Sequence, residues 1–335
     1  MVSDFRVGTL FVSPRTLRLS PTLKHLPRVT MNPVGAEEGF LDFKVSDEVF
    51  KTWYKVFGDL KSTQHRPLVA LHGGPGAPHQ SILSLVDLNT KYDVPIVLYD
   101  QIGNGNSTHL KEKPKDFWSF DLFMDELDNL LVQLGISNNY NLLGHSWGGI
   151  LAAHYVAHKK PEGLKRLVLS NAPASMDLWL KRMNQLLDEM PREDQEILRK
   201  HEAAGTMDSE EYHKSMHKFH SRYTCRLTTT PVELQQAGRL LMSDPTVFEA
   251  MNGTANFTEN TGKLNGWSIF EHLPMFTAKT LVINSHYDQA GDETIQPFLK
   301  LIPNVEWIKF EDSSHFPMWE ERERYMEAVG KFLRF

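Results

Sequence analysis

The chain has 335 residues, enough for one large domain or two modest ones. Hydrophobic residues are 41% and charged residues 23%, the balance of an ordinary globular protein, which excludes a largely disordered or fibrous chain. The longest apolar runs, such as 67–71 and 96–99, fall far short of the ~18 residues that cross a bilayer, so no membrane partner is expected. A net charge of −6 argues against a nucleic-acid partner. Cys225 is the single cysteine, so no disulfide can form within one chain, and the cytoplasm is the expected location.

Residues 1–30 carry Arg6, Arg15, Arg18, Lys24 and Arg28 against the single acid Asp4. No uninterrupted apolar stretch follows them, so a secretory signal is not expected. Organellar import through 1–30 and a loose extension preceding Met31 both fit this composition. Regular patterning starts at Gly39. Residues 39–45 and 49–57 read as two strands, rich in Phe, Trp, Tyr and Val. Two short apolar strands follow at 67–71 and 96–99, each ending in a glycine-bearing loop. Apolar positions 120, 123, 124, 127, 130, 131 and 134 have helical spacing, and Gly135 stands where such a helix stops. A strand at 140–143, a helix at 147–158 and a strand at 164–169 complete this half. After Asn171 the alternation breaks into a helix-rich, Met-rich stretch. It resumes with a strand at 280–284, a helix at 292–301, a strand at 305–310 and a helix at 319–334. Alternating strands and helices indicate an α/β fold, a mostly parallel sheet with helices on both faces. The expected organisation is an N-terminal extension (1–38), a core (39–173 and 277–335) and an inserted helical cap (174–276).

The central chemical signal is Gly144-His145-Ser146-Trp147-Gly148-Gly149, between a predicted strand and a predicted helix. A serine on so tight a turn needs small residues two positions to either side, and glycine stands at both. The turn presents the Ser146 hydroxyl at the carboxyl end of the sheet. It also puts the Trp147 N–H at a helix N-terminus, where developing negative charge is favoured. Serine needs a base, and the base an orienting acid, expected in the order Ser, Asp, His at the ends of late strands. Asp288 and His315 stand there, with Asp292 and His286 as the competing acid and base. Asp292 reads better as a helix-start residue, and His286 precedes the acid. A second oxyanion donor is expected from His72-Gly73-Gly74-Pro75-Gly76, with Gly74 the first choice and Gly73 the alternative. His213, His217 and His220 share helical spacing, but no cysteine or acid set completes a metal site, so no metal is expected.

These motifs together resemble the proline iminopeptidase family of α/β-hydrolases, closest to the branch that includes L-amino acid amidases. The matching stretches are 51–60, 72–76, 100–107, 144–149, Met251-Asn252-Gly253 and Asp312-Ser313-Ser314-His315. The resemblance covers residues 40 to 335 and implies the α/β-hydrolase fold. It also implies cleavage of the amide bond of an N-terminal residue, often proline, or of an amino acid amide. In that family the cap supplies acids that bind the substrate's ammonium. Here the glutamate position after Asn252-Gly253 holds Asn256, which can accept a hydrogen bond from an ammonium without neutralising it. Thr230 stands before Pro231 where the family often has Trp, and Glu259 is the nearest acid to Asn256.

The expected mechanism is acyl transfer through a covalent acyl-enzyme on Ser146, with His315 as base, Asp288 orienting it, and Trp147 and Gly74 holding the oxyanion. No metal or organic cofactor is called for, and the expected partner is a small-molecule or short-peptide substrate. The altered cap positions leave an ester or lactone of a specialised metabolite as a second reading. A non-catalytic ligand-binding protein on the same fold is a third, disfavoured by the complete set of three residues.

Overall fold

The computed structural model describes residues 36–62, 64–254, 257 and 261–334. Among them, eight strands form one sheet: β1 (Ala36–Val45), β2 (Glu48–Phe57), β3 (Leu68–Leu71), β4 (Ile96–Tyr99), β5 (Tyr140–His145), β6 (Leu164–Ser170), β7 (Lys279–Ser285) and β8 (Val305–Phe310). Their spatial order is β1-β2-β4-β3-β5-β6-β7-β8. β1 and β2 form an antiparallel hairpin, β2 is antiparallel to β4, and every pairing from β4 to β8 is parallel. β1 starts at Ala36, three residues before the strand pattern becomes legible, because its first residues are exposed and polar. No helix of the described residues is long and apolar enough to cross a membrane.

The helices are α1 (Asp87–Tyr92), α2 (Phe120–Gln133), α3 (Trp147–Lys159), α4 (Met176–Asp188), α5 (Arg192–Ala204), α6 (Glu210–Tyr223), α7 (Val232–Ser243), α8 (Thr246–Met251), α9 (Asp292–Leu301), α10 (Pro317–Glu320) and α11 (Arg322–Arg334). α2 starts where Ser119 accepts a hydrogen bond from the Leu122 N–H. Alternate strand residues face opposite layers, as the pleat requires. Val69, Leu71, Val97, Tyr99 and Leu142 pack toward α2 and α3. Leu68, Ala70, Ile96, Leu98 and Leu143 pack toward α1 and α11. Both faces of the central strands are dry, which is why they read as continuous apolar runs.

Helices α4–α8 form the insertion between β6 and β7. Its two ends are laced together. Met176 N–H donates to the Trp267 carbonyl at 2.9 Å and Ile269 N–H to that of Ala174 at 3.1 Å, flanking a bridge between Ser175 and Ser268. The single C-terminal helix expected over 319–334 is instead two, α10 and α11, broken at Glu321, whose φ and ψ are −117° and 50°. The cause lies in Glu320 and Glu321: both carboxylates turn back to hold the loop at 312–316.

Candidate active site

Ser146 sits between β5 and α3 with φ 56° and ψ −121°, a strained backbone for any residue but glycine. Its N–H donates to the Ser170 carbonyl at 2.9 Å. The neighbouring glycines are steric necessities. A Cβ on Gly144 would lie 2.0 Å from the Gly148 carbonyl oxygen, and one on Gly148 would lie 2.2 Å from that of Leu71. β3, β5 and α3 can therefore approach closely enough to force the turn only with glycine at both positions.

His315 and Asp288 meet from two different strand ends. His315 Nδ1 is 2.7 Å from Asp288 Oδ1, and both residues are buried. The other carboxylate oxygen, Oδ2, accepts from Asn171 Nδ2 at 2.6 Å, and the same amide donates to Ser285 Oγ at 3.1 Å. His145 Nε2–H donates to the His315 carbonyl at 2.7 Å, tying the residue before Ser146 to the loop that carries His315. That bond fixes the His145 tautomer. Burial first, and the nearby His315 second, push the His145 pKa down to about 3, so it stays neutral. Glu320 Oε2 accepts from the N–H groups of Ser314 and Phe316, at 3.0 and 3.2 Å, clamping His315 from both sides along the chain.

The competing residues lie elsewhere. Asp292 accepts from Asn284 Nδ2 at 2.8 Å and pairs with Lys309 at 2.8 Å. His286 is exposed and faces Glu311 at 3.6 Å.

On the other side of Ser146, His72 Nε2 accepts from Gln101 N–H at 3.0 Å, so Nδ1 carries the proton and donates to the Gly73 carbonyl at 3.0 Å. Gln101 Oε1 accepts from the Trp147 indole N–H at 2.8 Å. One side chain thus joins the glycine loop to the start of α3, the two segments expected to supply oxyanion donors. The loop carrying Gln101 is seated on Glu126, which is fully buried and accepts from Thr52 Oγ1 at 2.5 Å and Ile102 N–H at 2.9 Å. Desolvation raises the Glu126 pKa to about 8 against these hydrogen bonds.

Gly74, Ser146 and Trp147 line one narrow pocket of about 30 Å³, together with Ile150, Pro173, Met176, Trp179, Asn252 and Leu264. Its wall is apolar apart from Ser146 and Asn252. Met176, Trp179, Asn252 and Leu264 come from the insertion, so core and insertion close the pocket jointly. Gly73 also approaches, since a Cβ there would lie 3.2 Å from Ser146 Cβ. Thr230 does not line this pocket; it precedes α7, and its carbonyl accepts from Gln235 Nε2 at 2.9 Å. Asn256 and Glu259 lie outside the described residues.

Sequence reasoning did not find Asn171, His145, Gln101, Glu126 or Glu320. The signal for three of them was present in position: Asn171 follows β6, Gln101 follows β4, and His145 stands inside the serine motif. Nothing in the sequence marks Glu126 or Glu320, which read as ordinary helical acids.

The strand order and the strained serine turn are those of an α/β-hydrolase, and residues 66–322 match the family model described as the alpha/beta hydrolase fold. A proline iminopeptidase of Saccharolobus solfataricus is 32% identical over 302 residues, covering 90% of this chain and 93% of that protein. The crystal structure of a proline iminopeptidase from Mycobacterium smegmatis is 36% identical with a TM-score of 0.80, covering 88% of this chain and 97% of that one. The crystal structure of VinJ is 44% identical with a TM-score of 0.83, covering 88% and 98%. The chain belongs to the proline iminopeptidase family of α/β-hydrolases and is an enzyme of the prolyl aminopeptidase type.

Proposed function

We propose that the chain releases an N-terminal proline, or another compact apolar residue, from short peptides and amino acid amides. Ser146 Oγ attacks the carbonyl carbon while His315 Nε2 takes its proton, and N–H groups of Trp147 and Gly74 stabilise the oxyanion. His315 returns that proton to the leaving nitrogen as the C–N bond breaks. It then takes a proton from water, whose oxygen attacks the acyl carbon, and passes that proton to Ser146 Oγ as the acyl–oxygen bond breaks and the acid is released. Asp288 stabilises the charged form of His315. Residues 174–276 act as the cap over a core formed by 39–173 and 277–335.

The observation that carries this reading is how His315 is held. Its Nδ1 faces Asp288 Oδ1 at 2.7 Å, and its carbonyl is bound by His145, the residue next to Ser146. The apolar wall beside Ser146 supports a compact acyl residue. The test is Ser146→Ala assayed on prolinamide and prolyl dipeptides. The variant should fold and lose activity by several orders of magnitude, and a serine-reactive phosphonate should label the wild type only. Labelling of the variant at the wild-type level would reject the assignment.

A further inference from the structure

Trp179 has no part in the mechanism above, yet its indole stands between the pocket and the base. It lines the pocket beside Ser146. Its ring also meets the His315 imidazole, with centroids 5.9 Å apart and planes at 62°, an edge-to-face packing. The rings of His145 and Phe316, both from the core, approach His315 at 4.9 and 5.5 Å. Of these three, Trp179 alone comes from the insertion and alone lines the pocket.

The indole has little room to give way elsewhere. α4 is held on either side of it. Met176 N–H donates to the Trp267 carbonyl at 2.9 Å, and Arg182 Nε–H reaches the Asp288 carbonyl at 3.5 Å and Glu293 at 3.8 Å. Met176, Trp179 and Arg182 are spaced three apart and share one face of the helix. That face meets the pocket, the base and the loop of the acid in turn. Trp179 itself packs against the apolar cluster of α4–α6 and against the one beneath α2 and α3. Close-packed side chains have few alternative positions. A substrate side chain larger than the pocket admits therefore gains room by turning the indole, and the indole rests on His315. The imidazole must aim Nε2 at the Ser146 hydroxyl, and a misplacement of about 1 Å at such a centre costs on the order of 100-fold in rate.

We propose that Trp179 is the specificity residue that sets the upper size of the acyl residue, and that it acts through the base: an oversized side chain displaces the indole against His315, so turnover falls more than binding. This deepens the aminopeptidase reading and rests on it.

The experiment measures kcat and KM of wild type, Trp179→Ala and Trp179→Leu on prolinamide, leucinamide and phenylalaninamide. In wild type, kcat should fall by about tenfold or more from prolinamide to phenylalaninamide, the scale of discrimination an apolar pocket reaches, with KM changing less. Trp179→Ala should raise kcat on phenylalaninamide by about tenfold or more and lower kcat/KM on prolinamide several-fold, reversing the preference. Trp179→Leu keeps apolar bulk against the insertion, so it folds even where the Ala variant does not, and should move both substrates the same way by less. A phenylalaninamide-to-prolinamide ratio equal to that of wild type in both variants would overturn the inference. Relief confined to KM would also overturn it, because the indole would then be a wall without a route to His315. A wild type that cleaves p-nitrophenyl acetate but none of the three amides would instead reject the aminopeptidase reading, and the inference with it.

Discussion

Asp288 uses its two oxygens for different tasks. Oδ1 faces His315 Nδ1 and Oδ2 accepts from Asn171, 117 residues away in the chain. A fully buried carboxylate needs a hydrogen-bond donor for each oxygen, and Asn171 serves the one that His315 does not. Asp288→Asn should cut kcat far more than Asp292→Asn, because Asp292 is spent on Lys309 and Asn284. Asn171→Ala should lower kcat by about tenfold, in line with ~1.5–3 kcal/mol for a hydrogen bond to a charged group, with KM little changed. Steady-state kinetics on prolinamide decide both, and a larger effect of Asp292→Asn would reassign the acid. That Asp288 and His315 meet was legible because chain order and strand ends restrict the choice. Asn171 was not, because its partner lies across the whole insertion and no local pattern links the two.

The loop after β4 shows the same limit at the level of an element. Its glycines and Ser107 are visible in sequence, but the support beneath it is Glu126, on the apolar face of α2. In sequence Glu126 reads as an ordinary helical acid; the structure buries it where two donors of other elements, Thr52 Oγ1 and Ile102 N–H, converge. Its folded pKa is raised from 4.5 to about 8, so the folded state binds the proton more tightly than the unfolded state. The stability this contributes is fully present below pH ~4.5 and is lost as pH rises through about 8. Glu126→Gln cannot ionise. Thermal melts at pH 5 and pH 9 should therefore show the variant gaining on the wild type at the higher pH. Curves that stay parallel across that range would exclude a titrating Glu126. The split between α10 and α11 has a similar origin: tertiary hydrogen bonds to Glu320 and Glu321 override a helical pattern that local sequence makes continuous.

At the scale of the molecule, strands and their order follow from apolar runs and turn residues, whereas the seating of α4–α8 depends on contacts between distant segments. α7 rests on the glycine loop: a Cβ on Gly76 would lie 2.7 Å from Leu241 Cδ1. Just beyond α7, Asp244 bonds to His109 Nδ1, and His109 Nε2 faces the Gly105 carbonyl at 2.9 Å. A histidine with acceptors at both nitrogens fastens one element to the other. His109→Ala removes the fastener and leaves the buried Asp244 with its bond to Thr246 Oγ1 at 2.6 Å. Limited proteolysis should then cut α7 and α8 several-fold faster than in wild type, with substrate protecting against it. His109→Gln, which keeps a donor, should be cut at an intermediate rate. Unchanged cleavage in His109→Ala would show that apolar packing alone holds the insertion down.

The lacing of 174–176 against 267–269 has a consequence for how such enzymes diversify. Because the two ends of the insertion already touch, the separation between β6 and β7 is set at the base and does not depend on how much chain lies beyond it. Loop-closure entropy grows only slowly with length, so the core tolerates exchange of the whole segment. A graft that replaces 177–266 with the corresponding segment of the Mycobacterium smegmatis relative should therefore keep the core's melting behaviour and the phosphonate reactivity of Ser146. Only the choice among acyl groups should move. Evolution can thus revise what this enzyme accepts through one interchangeable module, while the machinery that breaks the bond is inherited intact.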